Sequence, residues 1–231
     1  MNGISRICDL LDERYGRNEW TGRGPVLDEL VLTILSQNTS ANNCRDASAR
    51  LRERFPTWEE ARLASSDDIA EAIQVGGLAN RKAPRIKRIL EDIWQRQGNL
   101  SLEWLADVDD NRALDYLLAF DGVGRKTAAC TLMFALGRPV LPVDTHVHRV
   151  AERLGLIGKV TADKAHDLLQ EMTPPERIYS FHVNMVTHGR QTCRAANPLC
   201  RVCVLNKECA ENGEHRTRTG RGSGGNLPGA R

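Results

Sequence analysis

What this sequence lacks narrows the field before any motif is read. No unbroken apolar run approaches the ~18 residues that a membrane span requires. The most apolar helical segment, Val26–Leu35, is interrupted by Asp28 and Glu29. The stretch from Met1 to Gly16 has charges where a secretory leader needs an apolar run, so a secreted product is not expected. Neither sign of charge dominates: 32 Lys and Arg stand against 30 Asp and Glu, and residues 212–231 alone contribute four Arg and one Glu. The rest of the chain is thus slightly acidic. That excludes a histone-like polycation and leaves only local patches for nucleic acid. Period-two alternation is missing, no Asn-Gly or Asp-Gly joins β-branched runs, and no internal repeat is visible, which argues against a β fold.

What is present is helical. The 231 residues are 41% hydrophobic and 27% charged, enough to build the core of one large domain or two small ones. Val26, Leu27, Leu30, Val31, Ile34 and Leu35 share a helical face behind Pro25, and Ile86, Ile89, Leu90 and Ile93 form another. Leu114, Leu117 and Leu118 make a third stripe and Ala128, Leu132, Met133 and Leu136 a fourth, separated by Gly122 and Gly124. Thr57-Trp58-Glu59-Glu60 and Thr173-Pro174-Pro175-Glu176 both have the form of a capping box at a helix start. The expected fold is all-α, with about ten short helices. Residues 212–231 hold one Leu and no aromatic, and are expected to stay disordered.

Five motifs carry chemistry. Four of the seven cysteines fall within 17 residues as Cys193-x6-Cys200-x2-Cys203-x5-Cys209. In a chain without a secretory leader that pattern points to metal ligation, by zinc or by an iron–sulfur cluster. Cys8, Cys44 and Cys130 lie outside it and read as core residues. Phe120-Asp121-Gly122-Val123-Gly124-Arg125-Lys126 places a Gly-x-Gly turn before a helix, where exposed N–H groups and the helix dipole suit a phosphate. Pro142-Val143-Asp144-Thr145-His146 reads locally as an N-cap carboxylate, and His146 and His148, two apart on a helix, diverge too far to share a metal. Gly77-Leu78-Ala79-Asn80-Arg81-Lys82-Ala83 opens a segment with five cations between Arg81 and Arg88, either a solvated face or a row of phosphate contacts. Finally, Ser36-Gln37-Asn38-Thr39-Ser40 puts polar residues at the end of an apolar helix.

Taken in their order along the chain, over about residues 25–210, the motifs resemble the endonuclease III family of helix-hairpin-helix (HhH-GPD) DNA glycosylases. The resemblance implies a two-lobed HhH-GPD DNA glycosylase fold with a C-terminal [4Fe–4S] cluster loop. Residues 22–137 would form a helical lobe containing the hairpin, residues 1–21 plus 138–211 the cluster lobe, and 212–231 a basic tail. DNA would lie across the cleft between the lobes, where Lys126 and Asp144 would face one another. It implies Cys193, Cys200, Cys203 and Cys209 as the cluster ligands, Lys126 as the nucleophile and Asp144 as the catalytic carboxylate. Lys126, at a helix N-terminus beside Arg125, is favoured as the neutral amine. DNA contacts would come from Leu78, which enters the stack, and from Asn80, Arg81, Lys82, Gly122, Val123, Gly124, Arg125 and His146. Gln37, preferred over Asn38, would fill the gap left by an extruded base. Asp121 stands where the family usually has Pro and puts a carboxylate beside the expected phosphate site. The implied activity is base excision plus AP-lyase nicking, on double-stranded DNA carrying a damaged base or abasic site. A monomer in the cytoplasm, on nucleoid DNA, is expected. Oxidised pyrimidines are the family default. Mismatched uracil or thymine, pyrimidine dimers, or a non-catalytic module with a structural zinc are the alternatives.

Overall fold

The computed structural model describes residues 3–22 and 24–211. The tail expected to be disordered, 212–231, lies outside the described residues. These contain eleven α-helices, five short 3₁₀ turns and no strand, as the periodicity predicts. None of the helices is long and apolar enough to cross a membrane. In chain order the helices are α1 (Gly3–Tyr15), α2 (Val26–Leu35), α3 (Ala41–Arg54), α4 (Trp58–Leu63), α5 (Ser66–Ala72) and α6 (Ala79–Gln97). They continue with α7 (Asp110–Leu118), α8 (Arg125–Leu136), α9 (Thr145–Leu154), α10 (Ala162–Met172) and α11 (Ile178–Gln191). The chain forms two compact units, Trp20–Pro142, and Met1–Glu19 together with Val143–Arg231.

In the Trp20–Pro142 unit, α2 begins behind Pro25, with Asp28 and Glu29 in its first turn, where the helix dipole favours acids. Eight of its ten residues are buried, so it behaves as a core helix rather than an amphipathic one. α8 and α6 both pack on it. α6 buries Ile86, Ile89, Leu90 and Ile93, as its stripe predicts. Between α7 and α8 the chain turns through residues 119–124, and the turn is pinned from below by Phe120 and Val123, both buried in the same core. Asp121, Gly122 and Gly124 stay exposed. The fold therefore turns the polar part of this hairpin outward.

In the other unit, α1 and α9 both pack on α11. α9 and α11 approach closely at Gly189, where a Cβ would come within 2.8 Å of the His146 Cβ. Asp12 of α1 accepts from Ser180 Oγ and Asn184 Nδ2, and Arg177 bridges Asp9 and Asp12 through Nη2. A polar network thus joins α1 to α11 and the turn before it, in which only the buried Arg177 Nε lacks a partner among the described residues. One local reading needs correction. Thr173 does not cap a helix start: it ends α10, with its Oγ1 donating back to Leu169 O, and α11 begins at Ile178 after a 3₁₀ turn at Pro175–Arg177. Thr173 has the extended backbone of a cap, but Pro175 keeps Pro174, the would-be first helical residue, out of helical geometry at ψ 135°, so the box cannot close. Thr57 does cap α4, accepting from Glu60 N. Cys8, Cys44 and Cys130 are buried as expected, and burial pushes the Cys8 thiol up to about 11.

Candidate functional site

α8 starts at Gly124 with no side-chain cap, and its first-turn N–H groups have no intrahelical acceptor. Such an end is suited to a phosphate. Gly122 has φ +77°, a left-handed conformation, and a Cβ there would overlap the Arg85 guanidinium; only glycine meets both demands. Lys126 follows in the first turn, half-buried, with no hydrogen bond or ion pair among the described residues. Its charge and that of Lys82 both act on the Cys44 thiol, although burial dominates and pushes that thiol up.

The basic stripe on α6 is neither a solvated face nor a row of free phosphate contacts. Lys82, expected to meet DNA, is 2% exposed. Its ammonium donates to Leu35 O at 2.7 Å and Gly76 O at 2.9 Å, closing off the C-terminus of α2. Burial lowers its pKa. Lys82 is thus corrected from a DNA contact to an internal clamp. Lys87 donates to Arg62 O and Ala64 O, Arg88 pairs with Asp121 at 2.7 Å, and Arg85 Nη1 donates to Gln37 Oε1 at 3.0 Å. Of the five cations, only Arg81 is both exposed and without a partner among the described residues. The carboxylate of Asp121, which replaces the usual Pro, finds its counter-charge in Arg88.

Two exposed residues of this unit share an unusual backbone. Asn38 has φ +51° and Leu78 has φ +53°. Asn tolerates that region, but for Leu it is strained, and strain of about 1–3 kcal/mol per residue is typical of functional positions. Leu78 keeps 44% of its surface exposed. Neither Asn38 nor the neighbouring exposed Asn80 has a side-chain partner among the described residues. Gln37 differs: held by Arg85, it also donates from Nε2 to Thr127 Oγ1 at 3.4 Å.

Asp144 caps α9. Its Oδ1 accepts from His146 N and Val147 N, each at 2.8 Å, while Oδ2 has no partner among the described residues. His146 Nδ1 lies 3.2 Å from Arg149 Nη2, and His148 Nε2 lies 3.1 Å from Val160 O; the two rings take separate partners. The four motif cysteines line one cavity of about 160 Å³, together with Val150, Arg153, Leu154 and His188. Among the described residues no three Cys, His, Asp or Glu side chains converge as one ion would need. Arg149 donates to Cys193 O, and Arg153 donates to Cys193 Sγ at 3.4 Å and to Arg194 O at 2.7 Å. His188 Nε2 is 3.5 Å from Cys203 Sγ, and its Nδ1 is 3.0 Å from Tyr15 Oη. Burial pushes the Cys203 thiol up to about 11. The arginines of α9 were not singled out in the sequence. The signal that could have found them is their spacing of four, one turn apart on a helix starting at Asp144.

Residues 31–175 match the model of the HhH-GPD superfamily of base excision DNA repair proteins, and the chain belongs to that superfamily. Within it, the likeness is to endonuclease III. The chain is 35% identical over 197 residues to endonuclease III of Thermotoga maritima, covering 83% of this chain and 88% of that protein. It is 40% identical over 201 residues to a candidate DNA glycosylase of Arabidopsis thaliana, At3g47830, covering 86% of this chain but only 64% of the plant protein. A solved non-covalent endonuclease III–DNA complex superposes with a TM-score of 0.79 at 26% identity, over 93% of this chain and 97% of that one.

Proposed function

We propose that the protein is a bifunctional DNA glycosylase with AP-lyase activity, excising oxidised pyrimidines from duplex DNA as a monomer. The observation that carries this reading is the uncommitted amine of Lys126, in the first turn of α8, on a chain whose nearby cations are nearly all engaged. A flipped nucleotide would bring C1′ to Lys126 at a cost of a few kcal/mol of unstacking. The neutral amine bonds to C1′ as the base departs with the glycosidic electron pair and takes up a proton. The nitrogen lone pair then breaks the C1′–O4′ bond, O4′ taking up the proton that the amine gives up, and the opened sugar carries a protonated Schiff base that acidifies C2′; loss of the C2′ proton expels the 3′ phosphate by β-elimination. Asp144, with Oδ1 fixed by two N–H groups and Oδ2 uncommitted, would oppose positive charge developing on the sugar.

Leu78 would enter the stack, and Asn38 supports the gap-filling role better than Gln37. It is exposed and unpartnered, whereas Gln37 is held inward by two hydrogen bonds. Phosphates would be met by the hairpin from Gly122 to Arg125, by Asn80 and by Arg81, with His146 a further contact. The Trp20–Pro142 unit would act as the hairpin lobe and the other unit as the cluster lobe.

The cysteine loop fits a [4Fe–4S] cluster better than zinc. Its thiols share the walls of one cavity instead of closing on a point, an N–H of Arg153 donates to Cys193 Sγ, and His188 Nε2 faces Cys203 Sγ. Bound there, the cluster would supply folding energy to the loop. Arg149 and Arg153 hold the loop to α9 through its carbonyls.

Borohydride reduction in the presence of abasic DNA tests the assignment. A covalent protein–DNA adduct is expected, and Lys126→Gln should abolish it while binding survives. Adduct formation by Lys126→Gln would overturn the reading, and excision without any adduct would make the protein a monofunctional glycosylase.

A further inference from the structure

Arg85 occupies an odd place for an arginine. Its Nε is buried without a partner and packs against Gly122, where a Cβ would overlap it. A buried unmatched donor is unfavourable, and an apolar side chain of similar length would fill the space without one. What the guanidinium does in exchange is grip Gln37 Oε1 at 3.0 Å, and Gln37 Nε2 passes the connection to Thr127 Oγ1, directly after Lys126. Lys82 and Arg88, on the same helix, hold Leu35 O, Gly76 O and Asp121. One helix thereby reaches three turns: the one carrying Gln37 and Asn38, the one carrying Gly77 and Leu78, and the hairpin. The Asn38 side chain has no partner of its own among the described residues; its turn is held by Ser36 N and Gln37 N bonding back into α2 and, from outside that helix, by the grip on the Gln37 side chain.

We infer that Arg85 is a positioning residue: by holding Gln37 it fixes the turn that presents Asn38 to the gap left by an extruded nucleotide, in register with Leu78. The inference rests on the gap-filling role proposed above for Asn38. It assigns Arg85 no contact with DNA.

The test uses the full chain and a duplex with 2-aminopurine opposite a tetrahydrofuran abasic analogue, so that side-chain insertion is read as a fluorescence change. Arg85→Met, which keeps the packing of the stem, should lose most of that change. It should also excise an oxidised pyrimidine from duplex about 10²-fold more slowly or less, the size of a ~1 Å misplacement. Borohydride trapping on a single-stranded abasic oligonucleotide, which has no gap to fill, should stay within about twofold of the parent, well under the tenfold that 1.4 kcal/mol represents. Arg85→Lys restores a donor to Gln37 Oε1 and should recover part of the fluorescence change; Gln37→Leu should copy Arg85→Met. A full fluorescence change in Arg85→Met overturns the inference. So does an equal loss of duplex excision and single-strand trapping, which would mean that Lys126 or the fold has moved. So does a Lys variant no better than Met, which would reduce Arg85 to packing on Gly122. Asn38→Ala separates the two levels. If it keeps the full response, the gap-filling role itself falls; if it loses the response while Arg85→Met keeps it, only the positioning role falls.

Discussion

Helices α8 and α9 begin in opposite ways. α9 has two of its N-terminal N–H groups, on His146 and Val147, answered by the Asp144 carboxylate, whereas α8 starts on a glycine that supplies no side-chain cap. The same partial positive charge is thus neutralised in one place and offered in the other. A capped end fixes a side chain; an open end receives a ligand. The contrast teaches that Asp144 and Lys126 are held by different means, one by hydrogen bonds from the backbone, the other by helix geometry alone.

The strongest way to break that contrast is to remove the charge at Asp144 and keep the cap. Asp144→Asn should lower single-turnover excision by about 10²–10³, as expected for one preorganised electrostatic group. Its thermal midpoint should hardly move, because Asn caps helices as well as Asp. Asp144→Ala should add a stability loss of about 1 kcal/mol. Unchanged excision in Asp144→Asn would leave the residue a cap and nothing more. The converse is to give α8 the end that α9 has. Gly124→Asp meets open space, since nothing lies within 4 Å of a Cβ there. It should stabilise the fold by a few tenths of a kcal/mol. Duplex affinity should drop about tenfold, or about 1.4 kcal/mol, as the new carboxylate occupies the N–H groups and repels phosphate. Equal affinity in a titration would show that no phosphate sits at that end.

Smaller effects sharpen the picture around the hairpin. Arg81→Gln should flatten the log–log salt dependence of binding by about 1 if it meets one phosphate. Lys82→Met should leave that slope alone and instead cost about 1–3 kcal/mol of stability, read by chemical denaturation, because two carbonyls lose their buried donor. The smallest change expected is at Asp121. Its pair with Arg88 is exposed, with side-chain exposures of 71% and 56%, so Asp121→Asn should shift stability by less than ~1 kcal/mol.

The helix starts at Pro25, Thr57 and Asp144 were legible in the sequence because capping is settled within three or four residues. That the motif cysteines share one cavity was legible for the same reason: spacing within one loop is a local property. The roles of the α6 cations were not. Charge and helical face can be read from a string, but Lys82 finds its acceptor on Leu35, 47 residues away, and Arg153 reaches Cys193, 40 residues away. Thr173 shows the limit even of local chemistry, since the letters of a capping box were present and the prolines inside them sent the hydroxyl backward. Between Gln37 and Asn38 the sequence could only weigh residue type, whereas the difference lies in which side chain another helix has already claimed.

α9 is ten residues long, a stiff rod of about 15 Å. One tip carries Asp144; near the other, Arg153 and Leu154 form part of the wall around the four thiols, and Arg153 O receives bonds from Cys209 Sγ and Glu211 N. The rod is therefore clamped at its far tip by the cysteine loop itself. If that loop comes away, the rod becomes a pointer free to swing, and the carboxylate at one tip inherits the looseness of the other.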